Sequence, residues 1–108
     1  MEEFNESGMS LILHSGDAKN SAMKALRFAR KHEFDEAEKH LKEAREHIGE
    51  AHQSQTDLLH KEANGDATTV SLLMVHAQDH MMNTLSFIDS TDEMIHLYKE
   101  IYELKKEK

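Results

Sequence analysis

Apolar residues recur along this chain at spacings of three and four, the period of amphipathic helices. Met9, Ile12, Leu13, Met23, Leu26 and Phe28 mark a first helix from about Glu3 to about Lys31. Small residues interrupt it at Ser15-Gly16-Asp17-Ala18. A glycine inside a helix costs up to ~1 kcal/mol relative to alanine, so Gly16 needs a reason. A close helix crossing supplies one; space for a partner's side chain is the alternative. A break follows at Lys31-His32-Glu33-Phe34. Asp35, with Glu38 three residues on, has the spacing of a capping box and opens a second helix to about 63. Its buried side is set out by Ala37, Leu41, Ala44, Ile48, Ala51, Leu58 and Leu59, and the frequent alanines allow a neighbour to approach closely. Asn64-Gly65 stops it, since both residues tolerate a left-handed conformation. Asp66 or Thr68 is the expected cap of a third helix, from about 68 to about Leu104, and the tail KKEK puts positive charge where the helix dipole favours it.

Helices of this length span roughly 45 Å at 1.5 Å per residue. Both connections are short, so sequential helices run antiparallel. The absence of proline and the presence of only four glycines agree with long uninterrupted helices. The 108 residues therefore read as one all-α domain, residues 1–108, an antiparallel three-helix bundle.

Composition narrows the chemistry. With 38% hydrophobic and 31% charged residues the chain suits helices with one apolar face and does not resemble a disordered segment. It has no cysteine, which removes disulfides, thiolate catalysis and cysteine-ligated zinc. A net charge of −8 disfavours nucleic acid and anionic lipid as partners. The beginning MEEFNESG lacks a basic stretch followed by an apolar run, and no apolar stretch approaches 18 residues, so a cytoplasmic location is expected.

The third helix has more apolar surface than a three-helix monomer uses. At about 100° per residue, Val70, Leu73, Met74, Ala77, Met81, Leu85 and Ile88 share one side, the expected core face. Leu72, Val75, Met82 and Leu97 share another. Asp79 stands in the middle of this second stripe, His76 and Asn83 along its edge, and His80 between them and the core face. A stripe that merely borders the core is one explanation. Self-association through this helix is the other, with Asp79 in the place of the polar residues that set register and oligomer state in coiled coils. Carboxylates meeting on a symmetry axis would repel one another and need a proton or a cation.

Nine histidines occur in the chain. His32, His40, His47, His52, His60 and His96 lie in charge-rich surroundings and are expected at solvated surface; His14 follows an apolar trio and is expected to be partly buried. His76 has apolar flanks (Leu72, Leu73, Met74, Val75 and Ala77) and is followed by Gln78, Asp79 and His80. A neutral imidazole is a good nucleophile toward phosphorus, and Gln78, His80 and Asn83 supply donors or dipoles for added negative charge. A packed histidine without chemistry is the ordinary alternative. A metal site is a third, because His76 and His80 at i and i+4 can share one ion with Asp79 nearby. Yet neither H-E-x-x-H nor the paired Glu-x-x-His of di-iron bundles is present.

The stretch LLMVHAQDHMMNTL resembles the signature, approximately V-H-[AG]-Q-D-H-L-M, of the enzyme IIA component of the lactose/cellobiose (chitobiose) class of the bacterial phosphoenolpyruvate-dependent sugar phosphotransferase system. HSGDAKNSAMKALRFAR resembles that family's first helix and FDEAEKHLKEAREHIGEAHQSQTDLL its second. Met81 stands where leucine is usual, a volume-conserving change, and His32 where glycine is frequent. The resemblance implies a homotrimer built around the third helix, acting as a phosphoryl carrier. A phosphoryl group arrives from the histidine-containing phosphocarrier protein, rests on His76 through the ring nitrogen farther from the backbone, and leaves for a cysteine on the IIB component of a permease for a β-linked disaccharide. Asp79 matches the aspartate that gathers with its symmetry mates around a shared Mg2+, one per trimer. The alternatives are a helical oligomerisation module without chemistry and a metal-binding bundle. The sugar, whether lactose, cellobiose, chitobiose or an aryl-β-glucoside, is not specified by these residues.

Overall fold

The computed structural model describes residues 2–65 and 71–107, with side chains from residue 8. Three α-helices account for nearly all of them: α1 (Glu2–Arg30), α2 (Phe34–Ala63) and α3 (Leu72–Lys106). Cross-helix contacts fix their directions. Phe28 of α1 stacks on His40 of α2, and His14 meets Glu50, so these two run antiparallel. Lys99, Arg45 and Gln78 pair with Glu38, Asp89/Asp92 and Gln55, so α2 and α3 are also antiparallel. Gly8 faces Leu73 and Thr84 bonds the Ser15 carbonyl, which makes α1 and α3 parallel. The bundle is a rod of 62 × 21 × 19 Å. α1 packs intimately on both partners, whereas α2 and α3 meet less extensively.

The core explains this asymmetry. α1 buries Leu11, Ser15, Ala18, Ser21, Ala22, Ala25 and Ala29. Beyond Leu11 these are small side chains that let both neighbours approach closely, so α1 is the middle of the packing. The large residues expected to form its buried face lie elsewhere: Met9 and Leu13 are exposed, while Ile12, Met23, Leu26 and Phe28 are half-buried. α2 buries Ala37, Leu41, Ala44, Ile48 and Ala51 as its periodicity requires, and Leu58 packs at the margin, but Leu59 points to solvent. α3 buries Met74, Ala77, Met81 and Ile88 as expected, and adds Thr84, Thr91 and Ile95.

Helix ends differ from expectation in instructive ways. α2 begins at Phe34, with Glu33 in the capping position and no side-chain cap, so Asp35 sits in the first turn and forms no capping box. There it still opposes the positive end of the helix dipole. The described α3 begins at Leu72, where the Ser71 hydroxyl accepts the Met74 N–H at 3.1 Å. The expected caps Asp66 and Thr68, and the core candidate Val70, lie outside the described residues. Asn64-Gly65 ends α2 as anticipated, Gly65 having φ +91°.

The α1–α2 corner is a left-handed stop made by His32, at φ 65°. The Glu33 N–H bonds the Phe28 carbonyl and the His32 N–H that of Ala29, both at 2.9 Å, which is the paired closure of a Schellman motif. Glycine usually occupies this position. His32 instead uses its ring, 4.9 Å from Tyr102 and 6.0 Å from Phe34. Neither His32 nor His40 is therefore simple solvated surface; both are half-buried against aromatic rings, and His47 is half-buried too. His52, His60 and His96 are exposed, and His14 is partly buried, as expected.

The close helix crossing lies at Gly8, not Gly16. A Cβ on Gly8 would stand 3.4 Å from Leu73 Cγ, so glycine there lets α1 meet the start of α3. Gly16 is exposed, and nothing lies within 4 Å of where its Cβ would be.

Candidate functional site

Burial of Met74, Ala77 and Met81 fixes the rotation of the first turns of α3. Positions 76, 79, 80 and 83 then point away from the core, and His76, Asp79, His80 and Asn83 are all exposed. His76 and His80 are one turn apart and meet directly. Their Nε2 atoms are 3.1 Å apart, and the rings are perpendicular with centroids 4.5 Å apart. One of the two nitrogens must carry the proton while the other offers its lone pair.

Gln78 lies elsewhere. Its side chain turns to α2, where its oxygen accepts from Gln55 Nε2 and its nitrogen reaches Met74 Sδ at 3.6 Å. It locks α3 to α2 and does not join the His76–His80 pair within one chain. Sequence reasoning missed Gln55, because nothing local in α2 marks it as the partner of a residue 23 positions on.

The second apolar stripe is real. Leu72 is 85% exposed, Val75 53%, Met82 53% and Leu97 56%, on the face of α3 turned away from the core, and Leu104 extends it. Asp79 stands on this face between Val75 and Met82. Isolated exposed apolar residues are ordinary, but a line of them along one face marks an interaction surface. Among the described residues of one chain, no three histidine, aspartate or glutamate side chains come together to hold a metal ion. The carboxylate of Asp79 is a hard oxygen donor of the kind Mg2+ takes, but one chain contributes only one of them to this face. No helix among the described residues is long and apolar enough to cross a membrane.

A rigid α-helical rod presenting an exposed imidazole pair on one helix, beside an unpartnered apolar stripe, suits a protein that passes a group between docking partners. Comparison with known proteins gives the family. Residues 6–99 match the model of the lactose/cellobiose-specific IIA subunit of the phosphotransferase system. The chain is 43% identical over 102 residues to the lichenan-specific phosphotransferase enzyme IIA component of Bacillus subtilis (strain 168), covering 94% of this chain and 93% of that protein. It is 41% identical over 104 residues to the lactose-specific EIIA component of Lacticaseibacillus casei, covering 96% and 93%. Among solved structures, the cellobiose-specific enzyme IIA of Bacillus anthracis superposes with a TM-score of 0.90 at 41% identity, over 94% of each chain. The IIA(chitobiose)–HPr complex from Escherichia coli gives a TM-score of 0.81 at 34% identity, over 94% of this chain and 99% of that one. The chain belongs to the lactose/cellobiose-specific IIA family of the phosphotransferase system, and it is a phosphotransferase component with the role of a phosphoryl carrier.

Proposed function

We propose that this protein accepts a phosphoryl group on Nε2 of His76 from the histidine-containing phosphocarrier protein and passes it to a cysteine on the IIB component of a permease for a β-linked disaccharide. The observation that carries the reading is the exposed His76 on a rigid helix with His80 Nε2 at 3.1 Å. His80 donates its Nε2–H to the facing nitrogen of His76, which keeps that nitrogen unprotonated; when the His80 N–H turns to the incoming phosphoryl oxygens, the His76 lone pair is released. That lone pair attacks phosphorus in line with the donor's N–P bond. The new N–P bond forms as the old one breaks, and its electron pair returns to the donor imidazole. Such transfers depend chiefly on positioning and charge stabilisation, and a helix locked by Met74, Ala77 and Met81 supplies the positioning. The His80 N–H then lies against the phosphoryl oxygens, and Asn83, one turn further on the same exposed side, adds a second donor. Delivery to the thiolate reverses the sequence, with sulfur as the attacking atom. The partner in the E. coli complex, HPr, supports the identity of the donor.

The working assembly in this reading is a cytoplasmic homotrimer. The stripe Leu72, Val75, Met82 and Leu97 packs around a threefold axis, which brings Asp79 from each subunit together. The three carboxylates fit one Mg2+, which supplies positive charge on the axis and takes no part in the transfer. Gln78, bound to Gln55, supports the site by holding α3 in place.

The test is incubation with phosphoenolpyruvate and the two general phosphotransferase proteins, followed by mass spectrometry. An acid-labile, base-stable phosphate on His76 is expected, and His76→Gln should accept none while keeping its helicity. Phosphate on His80 or elsewhere with His76 bare overturns the assignment.

A further inference from the structure

Five of the chain's 13 lysines and arginines, Lys19, Lys24, Arg27, Arg30 and Lys31, fall within residues 18–32, which contain no acidic residue. In a protein of net charge −8 this is a concentrated exception. The helix dipole accounts for Arg27 and Arg30 in the last turn of α1 but not for Lys24. Lys24 and Arg27 on one side of α1, with Lys31 in the turn that follows, form the wall of a groove of about 380 Å³ against α2, completed by Phe28 and His40. The Phe28 and His40 rings stack in parallel, 5.2 Å apart and 1° from coplanar directions. Two carboxylates, Glu43 and Glu36, contact His40 at 3.1 and 3.8 Å. Among the described residues, none of Lys24, Arg27 and Lys31 forms an ion pair. The groove sits at the α1–α2 corner, the far end of the rod from His76, since Gly8 is level with Leu73 and His32 with Tyr102.

We propose that this groove binds a sugar phosphate, with the phosphate held by Lys24, Arg27 and Lys31 and the apolar face of the sugar ring against the Phe28–His40 pair. The charge argument is direct: three unpaired cations at an otherwise acidic surface form a well for a small anion, and guanidinium and ammonium groups are the usual phosphate ligands. The volume lies in the range of small-molecule sites. A membrane surface is a poor occupant, because the groove is concave and the rest of the molecule repels anionic lipid. The choice of a sugar as the organic part rests on the chain's place in a sugar phosphotransferase family; the phosphate site itself does not. Because the groove is remote from His76, a bound product sugar phosphate would report on the system's output without competing for the transferred group.

Titration of the isotopically labelled full chain with glucose 6-phosphate, followed by amide NMR at low ionic strength, tests this. Saturable shifts are expected along residues 24–31 and around His40, and none at His76. Free glucose should be silent, and inorganic phosphate should bind the same amides at least about fivefold more weakly. Lys24→Gln/Arg27→Gln/Lys31→Gln should weaken glucose 6-phosphate binding by roughly tenfold or more, and Arg27→Glu alone should weaken it measurably. All these positions are exposed, so helicity and phosphoryl acceptance on His76 should be unchanged. Absence of shifts, shifts centred on His76, equal affinity for inorganic phosphate, or indifference to the triple substitution would each overturn the proposal. So would shifts produced by phosphatidylglycerol vesicles and not by glucose 6-phosphate. Failure of His76 to accept phosphate would refute the carrier reading and leave this titration standing.

Discussion

Nε2 of His76 and Nε2 of His80 face each other at 3.1 Å across one turn of α3, their rings perpendicular. Two facing imidazole nitrogens cannot both be protonated or both bare without repelling, so each ring fixes the tautomer of the other. If His76 attacks phosphorus, His80 is the donor. It is then a positioning residue for the nucleophile, and it becomes a hydrogen-bond donor to the phosphoryl oxygens once the new bond has formed.

His80→Phe keeps a ring and removes the donor. A hydrogen bond to a charged group contributes about 1.5–3 kcal/mol, so phosphoryl acceptance should slow about 10- to 100-fold. The phosphate should remain on His76, and His80→Gln, which restores an N–H, should recover part of the rate. Rapid-quench kinetics with mass spectrometry measure both. A His80→Phe protein as fast as wild type removes His80 from the mechanism.

Asp79 lies between Val75 and Met82 on a face otherwise lined by exposed apolar side chains. Packing that face around a threefold axis gives a particle of three 12.4 kDa chains, which light scattering should show at micromolar concentration. The meeting carboxylates cost stability through repulsion and desolvation unless a cation offsets them. Replacing every member of a buried charged set by apolar residues is often neutral or stabilising, by about 1–4 kcal/mol. Asp79→Leu should therefore keep or raise the melting temperature and abolish any effect of Mg2+ on it, while chelation should lower the wild-type value. A 12.4 kDa monomer in solution ends the trimer reading, and a mutant that falls apart into unfolded chains shows that the carboxylate holds the assembly together.

Much of this architecture is legible in the sequence because long helices carry redundant signals. The alanine stripe of α2, its Asn64-Gly65 stop and the two apolar faces of α3 all stand where their spacing puts them. α1 is different. Apart from Leu11, its core face is Ser15, Ala18, Ser21, Ala22, Ala25 and Ala29, small residues with little hydrophobic contrast, so the larger Met9 and Leu13 suggest the wrong rotation. Caps are harder to read because several residues compete for one role: the Ser71 hydroxyl caps the described start of α3, and the α2 start relies on the backbone closure at His32 where Asp35 suggested a capping box. In the site, the motif spacing gives the shared side of His76, His80 and Asn83. The pairing of Gln78 with Gln55 depends on the register of two helices that no local pattern encodes.

Gly16 and Gly8 offer a contrast within one helix. Gly8 is buried, and a methyl group there meets Leu73 Cγ at 3.4 Å, so Gly8→Ala gains helix propensity only if Leu73 yields. At Gly16 a methyl group meets nothing within 4 Å in the chain's own fold. Alanine should therefore stabilise the helix by up to ~1 kcal/mol, which raises the melting temperature of a domain near this size by about 4–8 °C. The open space over Gly16 is room that a partner's side chain can enter. Gly16 shares a side of α1 with the exposed Met9 and Leu13, seven and three residues before it, so a donor docking on this face would meet a gap there. Gly16→Ala should consequently melt higher than wild type and transfer phosphate more slowly from its donor, with His76 still the acceptor. Calorimetry and rapid-quench kinetics on the same preparation separate the two effects. A higher melting temperature with an unchanged transfer rate would show that no partner enters the gap, and a lower melting temperature would show that the position is packed against another subunit.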